Sequence, residues 1–111
     1  MILSTDIWVS ALIRRAQLGG AFAAVIRKGD LRAGAVLVKL VNRRDAQFLL
    51  FAEASTGDGN RLWMQPIKGQ DEAGLDAYLA RAIRIDPDLW VVEIDDHQGR
   101  HFLVEPVEPG H

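Results

Sequence analysis

The hydrophobic pattern of the chain first predicts a helix in STDIWVSALIRRAQLGG. Ser4 or Thr5 can cap its start, and Gly19 and Gly20 end it. On a helical wheel with about 100° per residue, apolar side chains cover more than half of the circumference. These residues are Ile7, Trp8, Val9, Ala11, Leu12, Ala16 and Leu18. So wide an apolar surface indicates a helix that is wedged deeply into a core or that contacts a second chain.

Four segments with the pattern of strands follow this helix. They are AFAAVIRKG, AVLVKLVN, QFLLFAEA and RLWMQPI, with glycine-rich turns at GDLRAG and STGDGN. In the third segment, Phe48, Leu50 and Ala52 point to one face of the strand, and Leu49 and Phe51 point to the other. Apolar residues on both faces predict a central strand that is covered on both sides.

The remaining sequence predicts a second helix and two more strands. The helix lies in GQDEAGLDAYLARAIRIDP, which is amphipathic and is stopped by Pro87. LWVVEID and HFLVEPV follow as strands, joined through a turn at Gly99. The order α-β-β-β-β-α-β-β predicts an α+β fold, a five- or six-stranded mainly antiparallel sheet packed by two helices. Residues 1–105 are expected to form a single domain, and residues 106–111 a flexible C-terminal tail.

Composition narrows the possible functions of this 111-residue chain. Its 13 basic and 15 acidic side chains provide no basic surplus for nucleic acid, and the absence of cysteine excludes disulfides and thiolate sites. The opening MILSTDIW lacks the basic region of a signal peptide. No apolar run approaches the roughly 18 residues of a membrane span. We expect a cytoplasmic protein with no membrane or nucleic-acid partner and no cofactor.

The acid-rich stretch DPDLWVVEIDD is a candidate for a catalytic or metal site. At a rise of about 3.3 Å per residue, Asp88 and Asp95 lie roughly 23 Å apart, too far to share a ligand. Most of the acids flank the strand and are typical of turns. These are Asp86, Asp88, Asp95 and Asp96. Glu93 instead lies inside the strand, on the same face as Asp95, so this pair could bind a cation, perform acid–base chemistry or lie on a half-exposed face.

Arg15 is a second charged residue in an apolar setting, because it lies in the middle of the apolar stripe of the first helix. A guanidinium there must extend to water along its stem or find a carboxylate. We predict that Arg15 pairs with an acid on the sheet or on a second subunit, and Glu93 is the first candidate. A ligand pocket around this pair would use five side chains. They are Arg15, Glu93, Asp95, Trp63 and Tyr78.

Other motifs favour no specific chemistry. His97 and His101 flank a glycine turn, whereas zinc ligands at close spacing are normally held on a helix or a rigid frame, so no metal site is predicted. GDLRAG and TGDGN lack the lysine and following helix of a phosphate-binding loop. The serines lie in no nucleophile-elbow pattern.

Three stretches resemble a family of small bacterial proteins known as domain of unknown function 1491. They are STDIWVSALIRRAQLGGAFAAVIRKGD, GAVLVKL and RIDPDLWVVEIDDHQGRHFL. The resemblance covers the chain from Thr5 to about Leu103 and is strongest in the first helix and in DPDLWVVEID. It implies no activity and no catalytic residues.

Two functions remain open from the sequence. The first is a non-enzymatic protein-interaction or regulatory module that acts as a homodimer, since the first helix and the third strand carry more apolar surface than two helices comfortably cover. The alternative is a small-ligand-binding protein or weak enzyme with a pocket around Arg15 and Glu93. The lack of a concentrated polar constellation favours the first.

Overall fold

A computed structural model describes residues 3–55 and 61–108, which form a five-stranded sheet with one helix on each face. Most of the predicted STGDGN turn, and residues 109–111 of the predicted tail, lie outside the described residues. The elements are α1 (Thr5–Leu18), β1 (Phe22–Arg27), β2 (Val36–Asn42), β3 (Gln47–Ser55), β4 (Arg61–Met64), α2 (Glu72–Ile85) and β5 (Trp90–Asp95).

The strands lie in the order β1-β5-β2-β3-β4. Three neighbouring pairs are antiparallel, and β2 and β5 are parallel. β5 inserts between β1 and β2, so the first two strands of the sequence are not neighbours in the sheet. The predicted α+β class, the element order and the mainly antiparallel sheet are confirmed, with five strands.

Residues 101–108, which we call the strap, do not pair as a sixth regular strand. They form one parallel bridge, between Val107 and Trp63. Phe102 has a φ of 60°, which takes the backbone out of the extended conformation, and Pro106 has no N–H to donate to a ladder. Of the tail predicted to be flexible, residues 106–108 are hydrogen-bonded to β4 through the backbone of Trp63.

Each face of the sheet has its own hydrophobic core. On the face that α1 covers, the α1 face, the core contains Trp90, Val92 and Ile94, as the alternation along β5 predicts. The opposite face, the α2 face, buries Leu89 and Val91 with residues from β2, β3 and α2. The prediction that β3 is covered on both sides is also confirmed, since its Leu50 and Phe51 are buried in different cores.

Helix α1 buries only part of its wide apolar stripe within the chain. Its start is held by backbone hydrogen bonds in which the amides of Thr5 and Asp6 donate to the Arg32 and Leu31 carbonyls. The buried residues of the stripe are Trp8, Val9, Leu12 and Ala16. Ile7 and Leu18 remain exposed. Among the described residues, no helix is long and apolar enough to cross a membrane.

Candidate functional site

The most concentrated polar group in the described structure is an ion-pair network centred on Lys39. Lys39 lies in the middle of β2, where every residue is buried. Its Nζ lies 2.9 Å from Glu72 Oε2, 2.8 Å from Asp76 Oδ1 and 3.4 Å from Glu93 Oε1. The parallel register places Lys39 opposite Glu93, and Glu72 and Asp76 are one turn apart on α2. The network therefore joins β2, β5 and α2.

Arg43 extends this network to the end of β5. Its two terminal nitrogens each donate to one oxygen of Glu72 at 3.0 Å, a bidentate geometry that favours a strong pair. Arg43 Nε also lies 3.6 Å from Asp95 Oδ2. The ion-pair network thus contains two cations and four carboxylates, the latter being Glu72, Asp76, Glu93 and Asp95.

The electrostatics of the ion-pair network keep Lys39 charged. Burial disfavours the ammonium, but hydrogen bonds to Asp76 and Glu72 outweigh this and raise the pKa of Lys39 above its ordinary value. Hydrogen bonds from Arg43, and then from Lys39, lower the pKa of Glu72 to about 2. A lysine that stays protonated at neutral pH is a poor nucleophile and a poor base. The arrangement is therefore suited to fastening α2 to the sheet.

We expect the Glu72 contribution to stability to be lost in acid. Because folding depresses its pKa, the contribution is fully present above the ordinary carboxyl pKa of 4.5 and is lost as the pH falls towards about 2. We expect Glu72→Gln to have a lower free energy of unfolding than the wild type, measured with urea. This difference should be largest above pH 5 and should vanish near pH 2. Asp88→Asn, an exposed acid outside the network, is the control. An equal pH dependence in both variants would contradict the prediction.

The structure does not bring Arg15 and Glu93 together. Arg15 projects from α1, and its Nε donates to the Phe102 carbonyl at 3.2 Å. Glu93 points to the α2 face and contacts Lys39. The predicted pairing is not formed within the chain because the sheet lies between the two side chains. The Nη2 of Arg15 is buried and has no hydrogen-bond partner within the described part of the chain.

Trp63 is a core residue, although the sequence suggested it for a ligand pocket. It is fully buried and stacks on Trp8, with 5.4 Å between ring centroids and 25° between ring planes. Both indole nitrogens donate to the Glu105 carboxylate, from Trp8 to Oε2 at 2.9 Å and from Trp63 to Oε1 at 3.1 Å. Trp63 is not exposed to a ligand from solvent in this arrangement.

Tyr78 does line a pocket, which lies beside the C-terminal half of α2 and has a volume of about 350 Å³. The Arg81 guanidinium carbon lies 5.9 Å from the centre of the Tyr78 ring. The lining residues are Leu37, Tyr78, Arg81, Ala82, Ile85, Asp86 and Leu89. The five predicted site residues therefore occupy separate places, with only Glu93 and Asp95 together in the ion-pair network.

Sequence reasoning missed the partners of Glu93 and the burial of Asp96. Lys39 carries the same signal as Glu93, because it is a charged residue within the apolar run AVLVKLVN. For Asp96, the sequence predicts a turn residue. Its carboxylate is buried and accepts from the backbone and guanidinium of Arg100, which lowers its pKa. A buried acid of this kind needs its partner in three dimensions, which local spacing does not reveal.

The two histidines near the turn have different surroundings. His101 Nδ1 accepts from the Leu103 amide at 2.9 Å, its ring meets Phe51 edge-on, and burial lowers its pKa. His97 is exposed. Within residues 3–55 and 61–108, no group of three or more potential ligands is arranged to hold a metal ion.

These features define a small α+β protein with a mixed five-stranded sheet, a helix on each face and an ion-pair network between one helix and the sheet. The sequence profile described as "Protein of unknown function (DUF1491)" matches residues 3–104. The chain belongs to the DUF1491 family.

Solved structures with the same fold agree with this assignment. A crystal structure of a DUF1491 family protein from Caulobacter crescentus CB15 is 69% identical, with a TM-score of 0.94 over 96% of this chain and 100% of that chain. An NMR structure of a DUF1491 family protein from the same organism, also 69% identical, has a TM-score of 0.92 over 98% and 99%. The solution structure of protein Atu0922 from A. tumefaciens is 34% identical, with a TM-score of 0.82 over the whole of both chains. No curated protein matches the chain.

Proposed function

We propose that this protein is a non-enzymatic interaction module that forms a homodimer through the edge strand β1. The main support for this proposal is that β1 pairs with β5 on one side and with no described strand on the other. Three of its six side chains are exposed apolar groups: Phe22 at 67%, Val25 at 40% and Ile26 at 59%. An exposed apolar edge strand is a ready surface for strand pairing.

The two edges of the sheet differ in how far they are protected from pairing with another strand, which supports β1 as the docking edge. At β4, the backbone of Trp63 is already hydrogen-bonded to the strap. At β1, the sequence FAAVIR contains neither proline nor lysine, the residues that commonly protect an edge. A register shift between Val25 and Arg27 disturbs only the end of the strand and leaves regular pairing from Phe22 to Val25. The first four residues of β1 therefore present a regular outer edge.

A second copy of the chain is the partner that this surface fits. Two β1 strands that pair antiparallel about a twofold axis use the same residues on both subunits and form a closed contact. Phe22 lies opposite Asp95 on the α2 face, whereas Val25 lies opposite Val92 on the α1 face. Apolar groups on both faces of β1 would then contact the β1 strand of the second copy, in a continuous sheet of ten strands. The lack of cysteine supports a cytoplasmic location.

The structural grounds for a dimer differ from those in the sequence. Leu50 and Phe51 of β3 are buried in the two cores within the chain, so the two-sided apolar pattern of this strand does not require a partner. The pocket predicted around Arg15 and Glu93 is not formed, and no concentrated catalytic group replaces it among the described residues. The remaining apolar surface of β1 favours association over catalysis.

Substituting two exposed residues of β1 tests the proposal. The wild type should have a mass by light scattering of twice the 12.3 kDa of one chain. The variant Phe22→Lys/Ile26→Lys should be monomeric, with the dissociation constant raised by at least roughly 100-fold, because two charges replace exposed apolar groups of the proposed interface.

The matched control is Val104→Lys, because Val104 lies in the strap and is as exposed as Phe22, at 67%. This variant should remain dimeric. A wild type that stays monomeric up to millimolar concentration, or a Phe22→Lys/Ile26→Lys variant that stays dimeric, would refute the proposal.

A further inference from the structure

We infer that the strap is an edge cap that restricts self-association to a closed dimer by keeping β4 unavailable to another copy of the chain. The inference rests on the proposed pairing through β1. It assigns a role to residues 101–108, which form no regular strand in the described structure.

The strap occupies the outer edge of β4 directly. The Trp63 amide donates to the Pro106 carbonyl at 2.9 Å, and the Glu108 amide donates to the Trp63 carbonyl at 2.7 Å. Trp63 lies opposite Glu53 of β3, and its bonds to the strap use the backbone groups that point away from β3. These are the groups that an incoming strand would need.

The carboxylate of Glu105 attaches the strap to two neighbouring elements. Each oxygen of Glu105 accepts one indole N–H, from Trp8 of α1 and Trp63 of β4. Hydrogen bonds to a charged acceptor are stronger than those between neutral groups. Leu103, which is buried in the core of the α1 face, anchors the preceding part of the strap. The cap is therefore tied to both α1 and β4.

The conformation of Phe102 opposes this attachment. A φ of 60° lies in the left-handed region, which is unfavourable for a bulky residue. The Arg15 Nε holds the Phe102 carbonyl, and the Arg100 guanidinium lies 4.9 Å from the centre of its ring. Gly19 makes room for the ring, since a Cβ there would lie 2.5 Å from it. Specific contacts thus hold the strained backbone at Phe102 in place. Removing the contacts between the strap and β4 should therefore release the strap from this edge.

The two edges differ in the assembly that they permit. Pairing of β1 with β1 is symmetric and stops at two chains. Pairing of β1 with β4 would be head-to-tail and would leave a free edge at each end, so it would continue to larger assemblies. When the strap covers β4, the symmetric contact between two β1 strands is the pairing that remains available.

The full-length variant Glu105→Ala/Glu108→Pro tests the cap. It removes the carboxylate that binds both tryptophans and the amide that donates to Trp63. Val107, the residue before the new proline, forms a β-bridge, and residues before proline favour extended backbone. We expect light scattering to detect species larger than a dimer, with a mass that increases with concentration. Glu108→Ala, which keeps the amide, is the control and should remain dimeric. Far-UV circular dichroism establishes that each variant is folded.

The outcomes separate this inference from the proposed dimer. If the wild type is a dimer and the folded double variant is also a dimer, the edge cap is refuted and the proposed β1 dimer is not. A monomeric wild type with an uncapped variant that associates would refute the β1 dimer, and with it the restriction to a closed dimer, although the strap would still block association through β4. If both are monomeric, both ideas fail. If the double variant does not fold, Glu108→Pro alone takes its place, since it alters no buried side chain, and the same outcomes apply.

Discussion

Replacing Trp63 with alanine should lower the free energy of unfolding by about 4 kcal/mol, the largest single effect that we expect. Trp63 is fully buried, and truncating it leaves a large cavity in the core of the α1 face. It also removes the stacking partner of Trp8 and one of the two indole donors to Glu105. The melting temperature should fall by roughly 15 °C for a domain of this size. Urea unfolding followed by circular dichroism measures the change in free energy.

The control for this prediction is Val104→Ala, an apolar truncation at an exposed position of the strap. Its effect should stay within about 0.5 kcal/mol. A loss below about 1 kcal/mol for Trp63→Ala would contradict the assignment of Trp63 to the core and would favour the ligand-binding role suggested by the sequence.

Replacing Lys39 with methionine should lower the free energy of unfolding by about 3 kcal/mol. The substitution keeps a side chain of similar length but leaves Glu72, Asp76 and Glu93 without their shared cation. Removing one partner of a buried ion pair costs about 3–5 kcal/mol, and the lower end applies here because Asp76 is half exposed. Urea unfolding at pH 7 measures the loss.

Two further variants test whether the loss of stability in Lys39→Met comes from the missing charge. Lys28→Met removes an exposed lysine and should change the free energy of unfolding by less than about 0.5 kcal/mol. Adding Glu93→Gln to Lys39→Met should recover about 1 kcal/mol, because one unpaired carboxylate is neutralised. If Lys39→Met is as stable as the wild type, the ion-pair network does not fasten α2 to the sheet.

Candidate residues were predicted with different success, and the difference has a physical cause. Glu93 was recognised as unusual because a carboxylate inside an apolar strand needs a partner or water. The sequence predicts Arg15 as its partner, since both side chains are charged exceptions within apolar patterns. Alternation places Glu93 on one face of β5, but it does not say which helix covers that face. The packing of α2 on this face decided that the partner is Lys39.

The sequence by itself determined the local structure and the family of this protein. Glycines placed the end of α1, apolar periodicity placed both helices, and alternation assigned Trp90, Val92 and Ile94 to one core. The predicted side-chain cap at the start of α1 is not formed, since Ser4 occupies the N-cap position without a capping hydrogen bond. The two-sided apolar pattern of β3 identified a strand covered on both faces. These features depend on residues close to one another in the chain, so their periodicity carries the information.

Only the tertiary structure decided the strand order and everything that depends on it. β5 pairs with β1 and β2, which lie roughly 50 to 70 residues earlier, and no local pattern specifies such partners. This insertion leaves β1 at the edge, places Lys39 opposite Glu93 and puts the sheet between Arg15 and Glu93. The strap binds β4 for the same reason. Its contacts join Trp63 to residues more than 40 positions away, and their geometry exists only after the sheet has formed.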